Sequence, residues 1–177
     1  AQIDAVAFGC GPGSFTGVRI AVGIAQGVAF GADLPVVPVS SLAALAQGAH
    51  VKTGAQRVLA AIDARMGEVY WGAYECDVDG LMCLRENEGV YKPDMVPLPE
   101  GKEWFGAGSG WKMYGAVLHA HLPHLLKRYE SEHYPHARDV ARLGEKNFKQ
   151  GLAVSAENAM PLYLRNEVAW KKSTESA

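Results

Sequence analysis

The chain has 177 residues, 49% of them hydrophobic, enough to bury a core in one domain or in two small lobes. Seventeen basic against nineteen acidic residues leave a formal net charge of −2, which excludes the basic field that a free-standing nucleic-acid binder turns toward phosphates, so any contact with RNA is expected to be shared with a partner. Cys10, Cys76 and Cys83 lack CxxC spacing and indicate neither a disulfide framework nor a zinc site, and the longest apolar stretch, 18–34, is broken by glycines, Arg19, Gln26 and Asp33, so a cytoplasmic protein with no membrane span is expected.

Residues 3–8 are an apolar run of strand type that opens two positions into the chain. The stretch 3–39 supplies only two parallel strands where a free-standing sheet needs three or more, so a segment upstream is expected. The turn "GCGPGSFTG" at 9–17 follows, then a helix over 17–31 with Val18, Val22, Ala25 and Ala29 on one stripe and Ile20, Ile24 and Val28 beside it. Being apolar on nearly every side, this helix is expected to be buried around most of its circumference. Gly23, Gly27 and Gly31 recur every four residues and permit close approach of another backbone, so two packing partners are expected, a sheet and a second helix. Residues 34–39 read as a strand bounded by Pro35 and Pro38, and Ser40 or Ser41 caps a short helix through Ala49. A polar connector at 50–56 divides the chain into lobes 1–52 and 53–177.

Residues 57–62 are a β-rich run, the turn Asp63-Ala64-Arg65-Met66-Gly67 follows, and 68–75 alternate in strand fashion, so the whole reads as a hairpin. A weaker strand region spans 81–91, and Pro93, Pro97 and Pro99 mark an extended loop. A strand at 104–107 enters a second glycine cluster. Helices are expected at 111–121 and 136–150, the latter turning Val140, Leu143 and Phe148 inward, followed by a strand at 162–164 and a frayed end from Lys171.

"FGCGPG" at 8–13 and "FGAGSG" at 105–110 share phenylalanine and three glycines, each after a strand and before a helix, as in an internal repeat. The first turn sits where a phosphate cradle would, yet Val18 and Arg19 follow Gly17 where a Walker loop needs lysine and a hydroxyl. The spacing of Gly11, Gly13 and Gly17 is one residue too long for a dinucleotide fingerprint. A tight turn built on Gly11, Gly13, Ser14 and Gly17, with Ser14 or Thr16 capping the helix, accounts for the pattern, with a phosphate site as the alternative. Ser14 does not match the G-x-S-x-G elbow, and Cys10 has no histidine near in sequence and reads as a packing residue. Asp63 and Arg65 read as a turn-stabilising pair, because side chains rather than glycines fill the hairpin turn where a phosphate would need bare backbone. His119, His121 and His124 cannot converge on one metal with Pro123 between them, and His133 and His136 read with them as surface residues. No catalytic residue, cofactor or metal is expected.

The stretches "GPGSFTGVRIAVGIAQGVAFGADLP", "IDARMGEVYW" and "PLYLRNEVAWKK" resemble the bacterial TsaB family, also called YeaZ. The resemblance implies an α/β, two-lobed ribonuclease-H-like fold of the actin, Hsp70 and sugar-kinase type (ASKHA) with an incomplete first lobe, about fifty upstream residues being absent. It further implies a non-catalytic scaffold that pairs with the catalytic paralogue TsaD, with the ATPase TsaE, in threonylcarbamoyladenosine modification of tRNAs reading codons that begin with A. A homodimer is implied for the protein alone, and tRNA would be reached only indirectly. The alternative is an ATP-dependent enzyme or a peptidase of the same fold acting on its partner. By the same resemblance the pairing surface falls on the first helix, at Thr16, Arg19, Ile20, Val22, Gly23, Ala25, Gln26, Gly27 and Phe30.

Overall fold

The computed structural model describes residues 3–165. It begins with β1 (Val6–Gly11), α1 (Phe15–Gly31) and β2 (Val36–Ser40), in which β1 and β2 pair in parallel with Phe8 opposite Pro38. Helix α2 (Ser41–Thr53) leads to the hairpin β3 (Arg57–Arg65) and β4 (Glu68–Cys76), whose strands pair from Arg57↔Glu75 to Arg65↔Glu68. Short strands β5 (Met82–Leu84) and β6 (Gly89–Tyr91) both pair with β4, and β7 (Trp104–Ala107), α3 (Ser109–His121), β8 (Leu126–Glu130) and α4 (Ala137–Lys149) follow. The larger sheet runs β5-β4-β3-β7-β8 with β6 on β4.

Local chemistry explains the punctuation. Ser40 caps α2, its Oγ accepting from the amides of Leu42 and Ala43, and Gly54 ends the helix in the left-handed region at φ 73°. Helix α2 therefore runs past Ala49 to Thr53, and the connector shrinks to Gly54–Gln56. Residues Leu42, Leu45, Ala46 and Ala49 pack on Val58, Ala60, Tyr74 and Phe105 of the larger sheet, while Ala44 on the opposite side meets Val39, Val140 and Leu143. Burial on both sides requires small residues, and alanines dominate the helix.

The chain then returns to its start. Helix α4 covers β1, with Gly144 so close to Ala7 that a Cβ there would lie 2.5 Å from the alanine Cβ. Val140 and Leu143 face inward as expected, but Phe148 is left partly exposed because β1 and β2 are too few to cover the whole helix. The expected strand at 162–164 does not form; the Leu162 amide donates a single bond of 2.7 Å to the Cys10 carbonyl, while Val154 bridges Val36. Strand β8 (sequence LKRYE) was not expected from its polar sequence; it forms the outer edge of the larger sheet beside β7, where polar residues are compatible with pairing. The expected frayed end from Lys171 lies outside the described residues.

The two glycine turns share one backbone angle as well as a sequence pattern. Gly11 and Gly108 stand at φ 110° and 109°, each between a strand and a helix. The likeness extends onward, since β1-α1-β2-α2 and β7-α3-β8-α4 are the same succession, each with its two strands parallel. The fold is the two-lobed α/β arrangement expected.

Candidate functional site

The first glycine turn is filled by the chain itself. Ser14 is the N-cap of α1, its Oγ accepting from the Gly17 amide at 3.1 Å, and a Cβ on Gly17 would stand 2.6 Å from that oxygen. On Gly11 a Cβ would lie 2.9 Å from the Leu162 carbonyl oxygen. The glycines thus make room for a serine cap and for a returning strip of backbone, while Gly13 sits against Val18. Beside the turn, Tyr163 stacks on Phe15 at 6.2 Å, and its hydroxyl accepts from Arg19 Nε at 2.9 Å while the guanidinium lies over the Phe15 ring.

Helix α1 is not buried around most of its circumference. Val18, Val22, Ala25 and Ala29 pack on Phe8, Cys10, Val36, Ala156 and Ala159, because the two-stranded sheet and the segment after α4 cover only one side. Ile20, Ile24, Val28 and Phe30 remain 56%, 62%, 56% and 78% exposed, and a Cβ on Gly23, Gly27 or Gly31 would meet nothing within 4 Å. Of the expected pairing residues, Thr16, Arg19, Ile20, Gly23, Gly27 and Phe30 lie on the open surface. Val22 and Ala25 do not; at 6% and 4% exposure they are core residues of this chain and cannot touch a partner. Gln26 is half-buried and donates to the Ala159 carbonyl at 3.1 Å. Phe15, Ile24 and Val28 belong to the open face although they were not among the expected pairing residues; the signal was there, since Ile20, Ile24 and Val28 fall on one stripe. Contiguous exposed side chains of this size mark a surface to be covered.

The other expected positions are structurally engaged. Asp63 accepts from the Arg65 amide at 2.9 Å and pairs with its guanidinium at 3.1 Å, as a turn-stabilising pair should. His121 bonds the Val96 carbonyl at 3.0 Å. His133 is buried edge-on to the Phe105 ring and bonds Glu130, which overturns its reading as a surface residue.

A half-buried polar cluster joins the start of α2 to the larger sheet. Glu88 accepts from Ser40 Oγ at 2.5 Å and from the Tyr74 hydroxyl. Burial raises the Glu88 carboxyl above the usual range against the pull of these bonds, and burial together with the Glu88 charge lifts the Cys10 thiol to about 11, so that it stays protonated. A carboxyl raised in the folded state favours folding fully below its ordinary value of 4.5 and less as pH rises through the raised value. The reverse holds for Asp77, which its bond to Lys146 holds far below its ordinary 3.8, so that its contribution is full above that pH and is lost only as pH falls on toward the lowered value. Urea midpoints measured between pH 3 and 8 will show Glu88→Gln gaining on the parent as pH rises above about 4.5, and Asp77→Asn below the parent throughout, by a margin that is full above about 4 and narrows toward pH 3.

The family model described as TsaD, tRNA N6-adenosine threonylcarbamoyltransferase, matches residues 1–173. The tRNA threonylcarbamoyladenosine biosynthesis protein TsaB of Escherichia coli K12 is 48% identical over 174 residues, covering 97% of this chain and 74% of that protein. TsaB of Haemophilus influenzae is 42% identical, with the same shares covered. The crystal structure of a Pseudomonas aeruginosa protein similar to peptidase YeaZ superposes with a TM-score of 0.84 at 47% identity, over 92% of this chain and 74% of that one. With identity of this order running through nearly the whole chain, the chain belongs to the TsaB family of tRNA threonylcarbamoyladenosine biosynthesis proteins.

Proposed function

We propose that the chain is a non-catalytic partner that docks the exposed face of α1 on a TsaD-type subunit, in a complex with a TsaE-type ATPase, and acts on tRNA only through that assembly. The observation that carries the reading is the row of Ile20, Ile24, Val28 and Phe30 standing in solvent beside glycines with open space over them. Large apolar side chains beside a notch of bare backbone suit a helix of another subunit better than they suit water. The same face would pair two copies when the partner is missing, and the assembly would work in the cytoplasm; among the described residues no helix is long and apolar enough to cross a membrane. Support for a silent rather than catalytic role comes from the glycine turn, whose space is taken by Ser14 and Leu162.

Titration calorimetry separates the readings. The chain will release heat on mixing with a TsaD-type subunit and none on titration with Mg-ATP alone. Micromolar binding of the nucleotide by the isolated chain would replace the proposal with an enzymatic role.

A further inference from the structure

At the end of β4 the Asp77 carboxylate is pinned by two amides, those of Asp79 and Leu81, each 2.9 Å from Oδ1. Its other oxygen receives Lys146 Nζ of α4 at 2.6 Å, and the same ammonium lies 3.1 Å from Cys83 Sγ of β5. Cys83 Sγ is itself 3.4 Å from Asp77 Oδ2. Cys83 and Lys146 both line a cavity of about 400 Å³ shared with Ser40, Tyr74 and Glu88, so a small solute reaches the sulfur. The other thiols differ. Cys10 is buried and protonated, and Cys76 faces His50 Nε2 at 3.5 Å with no ammonium beside it.

We propose that Cys83 and Lys146 are a peroxide-responsive covalent lock that ties α4 to the larger sheet. The reactive form of a cysteine is its thiolate, and a cation such as Lys146, 3.1 Å from the Cys83 sulfur, is the kind of neighbour found beside reactive cysteines. The thiolate sulfur attacks one oxygen of hydrogen peroxide, the O–O bond breaks, and hydroxide leaves, giving the sulfenic acid. The hydroxide takes a proton from the Lys146 ammonium and becomes water. The freed amine then attacks the sulfur, the S–OH bond breaks, and a second water leaves, so that a sulfur–nitrogen bond joins the residues. Sulfur is oxidised by two electrons and peroxide is reduced to two waters. A thiol reductant reverses the link by attacking sulfur and returning the amine. Asp77 positions the nitrogen throughout and does not react.

The test treats the full chain with hydrogen peroxide and follows it by peptide mass spectrometry. The expected product is a Cys83–Lys146 peptide pair lighter by two hydrogens than its reduced parts, formed about tenfold faster than any oxidation of Cys76 and reversed by dithiothreitol. Lys146→Arg keeps a cation by the sulfur but cannot form the bond, so Cys83 will instead be trapped as the dimedone adduct. In Lys146→Met the oxidation of Cys83 will slow about tenfold. Sulfenic acid persisting on Cys83 in the parent chain without a link, earlier oxidation of Cys76, or an unchanged rate in Lys146→Met each overturns the proposal.

Discussion

Arginine at Val22 or Ala25 will unfold the chain, whereas arginine at Ile24 will leave it folded and unable to pair. The three positions share one helix and one chemical type, and differ only in the side on which they lie. Val22 and Ala25 are packed against the sheet and the segment that follows α4, among Phe8, Cys10, Val36, Ala156 and Ala159, where a guanidinium would be forced into apolar surroundings. The cost is on the order of 4 kcal/mol or more, most of what a domain of this size has to lose. Ile24 is 62% exposed, so the same change there will move stability by no more than about 0.5 kcal/mol. In the assembled state that charge would be stripped of water in an apolar seam, and pairing will weaken by at least about thirtyfold. Gly27→Ala sharpens the test: with open space over the glycine, alanine will stabilise the isolated helix by about 0.5–1 kcal/mol while blocking backbone approach and weakening the complex. Melting curves and titration with a TsaD-type subunit read the two effects separately. Pairing that survives Ile24→Arg would move the interface off this helix.

The contrast also shows what was legible in the sequence. Helix, cap and apolar stripes of α1 follow from a period of 3.6 and from Ser14, and the hairpin from the strand-type runs that flank the turn Asp63–Gly67. The sidedness of α1 does not, because two stripes of equal hydrophobicity cannot say which one its own chain will cover. That depended on Ala156, Ala159 and Leu162 returning more than a hundred residues later, a contact that leaves no local trace. Strand β8 was missed for a related reason, as an edge strand needs a pairing partner more than an apolar sequence. Helix α2 gave the opposite error: residues 50–53 read as the start of a polar connector, whereas they form the last turn of the helix, which ends only where Gly54 takes the left-handed conformation. The cluster of Asp77, Cys83 and Lys146 draws on three elements and was invisible until they were folded together.

Gly108→Ala will cost about 3 kcal/mol, and Gly11→Ala about 2, although neither glycine touches a ligand in the proposed role. Both stand near φ 110°, a region that side chains of L-residues avoid, and that strain is common to the pair. They differ in what lies overhead. A Cβ on Gly108 would be 2.5 Å from the Ala61 carbonyl oxygen and 2.7 Å from Leu45 Cδ2, both deep in the core where β3 and α2 meet, so relief requires moving backbone. On Gly11 the nearest atom is the Leu162 carbonyl oxygen at 2.9 Å, in a surface segment held to β1 by one backbone bond and to α1 through the exposed Tyr163, which yields more readily than the core. The melting temperature will accordingly fall by roughly 10 °C for Gly108→Ala and by clearly less for Gly11→Ala. If the first turn instead existed to hold a phosphate, the order of effects on stability would not change, but Gly11→Ala would abolish a nucleotide affinity that the parent chain displays. Equal losses at the two positions would mean that the segment around Leu162 is as rigid as the core, and that the turn is closed as firmly in the first lobe as in the second.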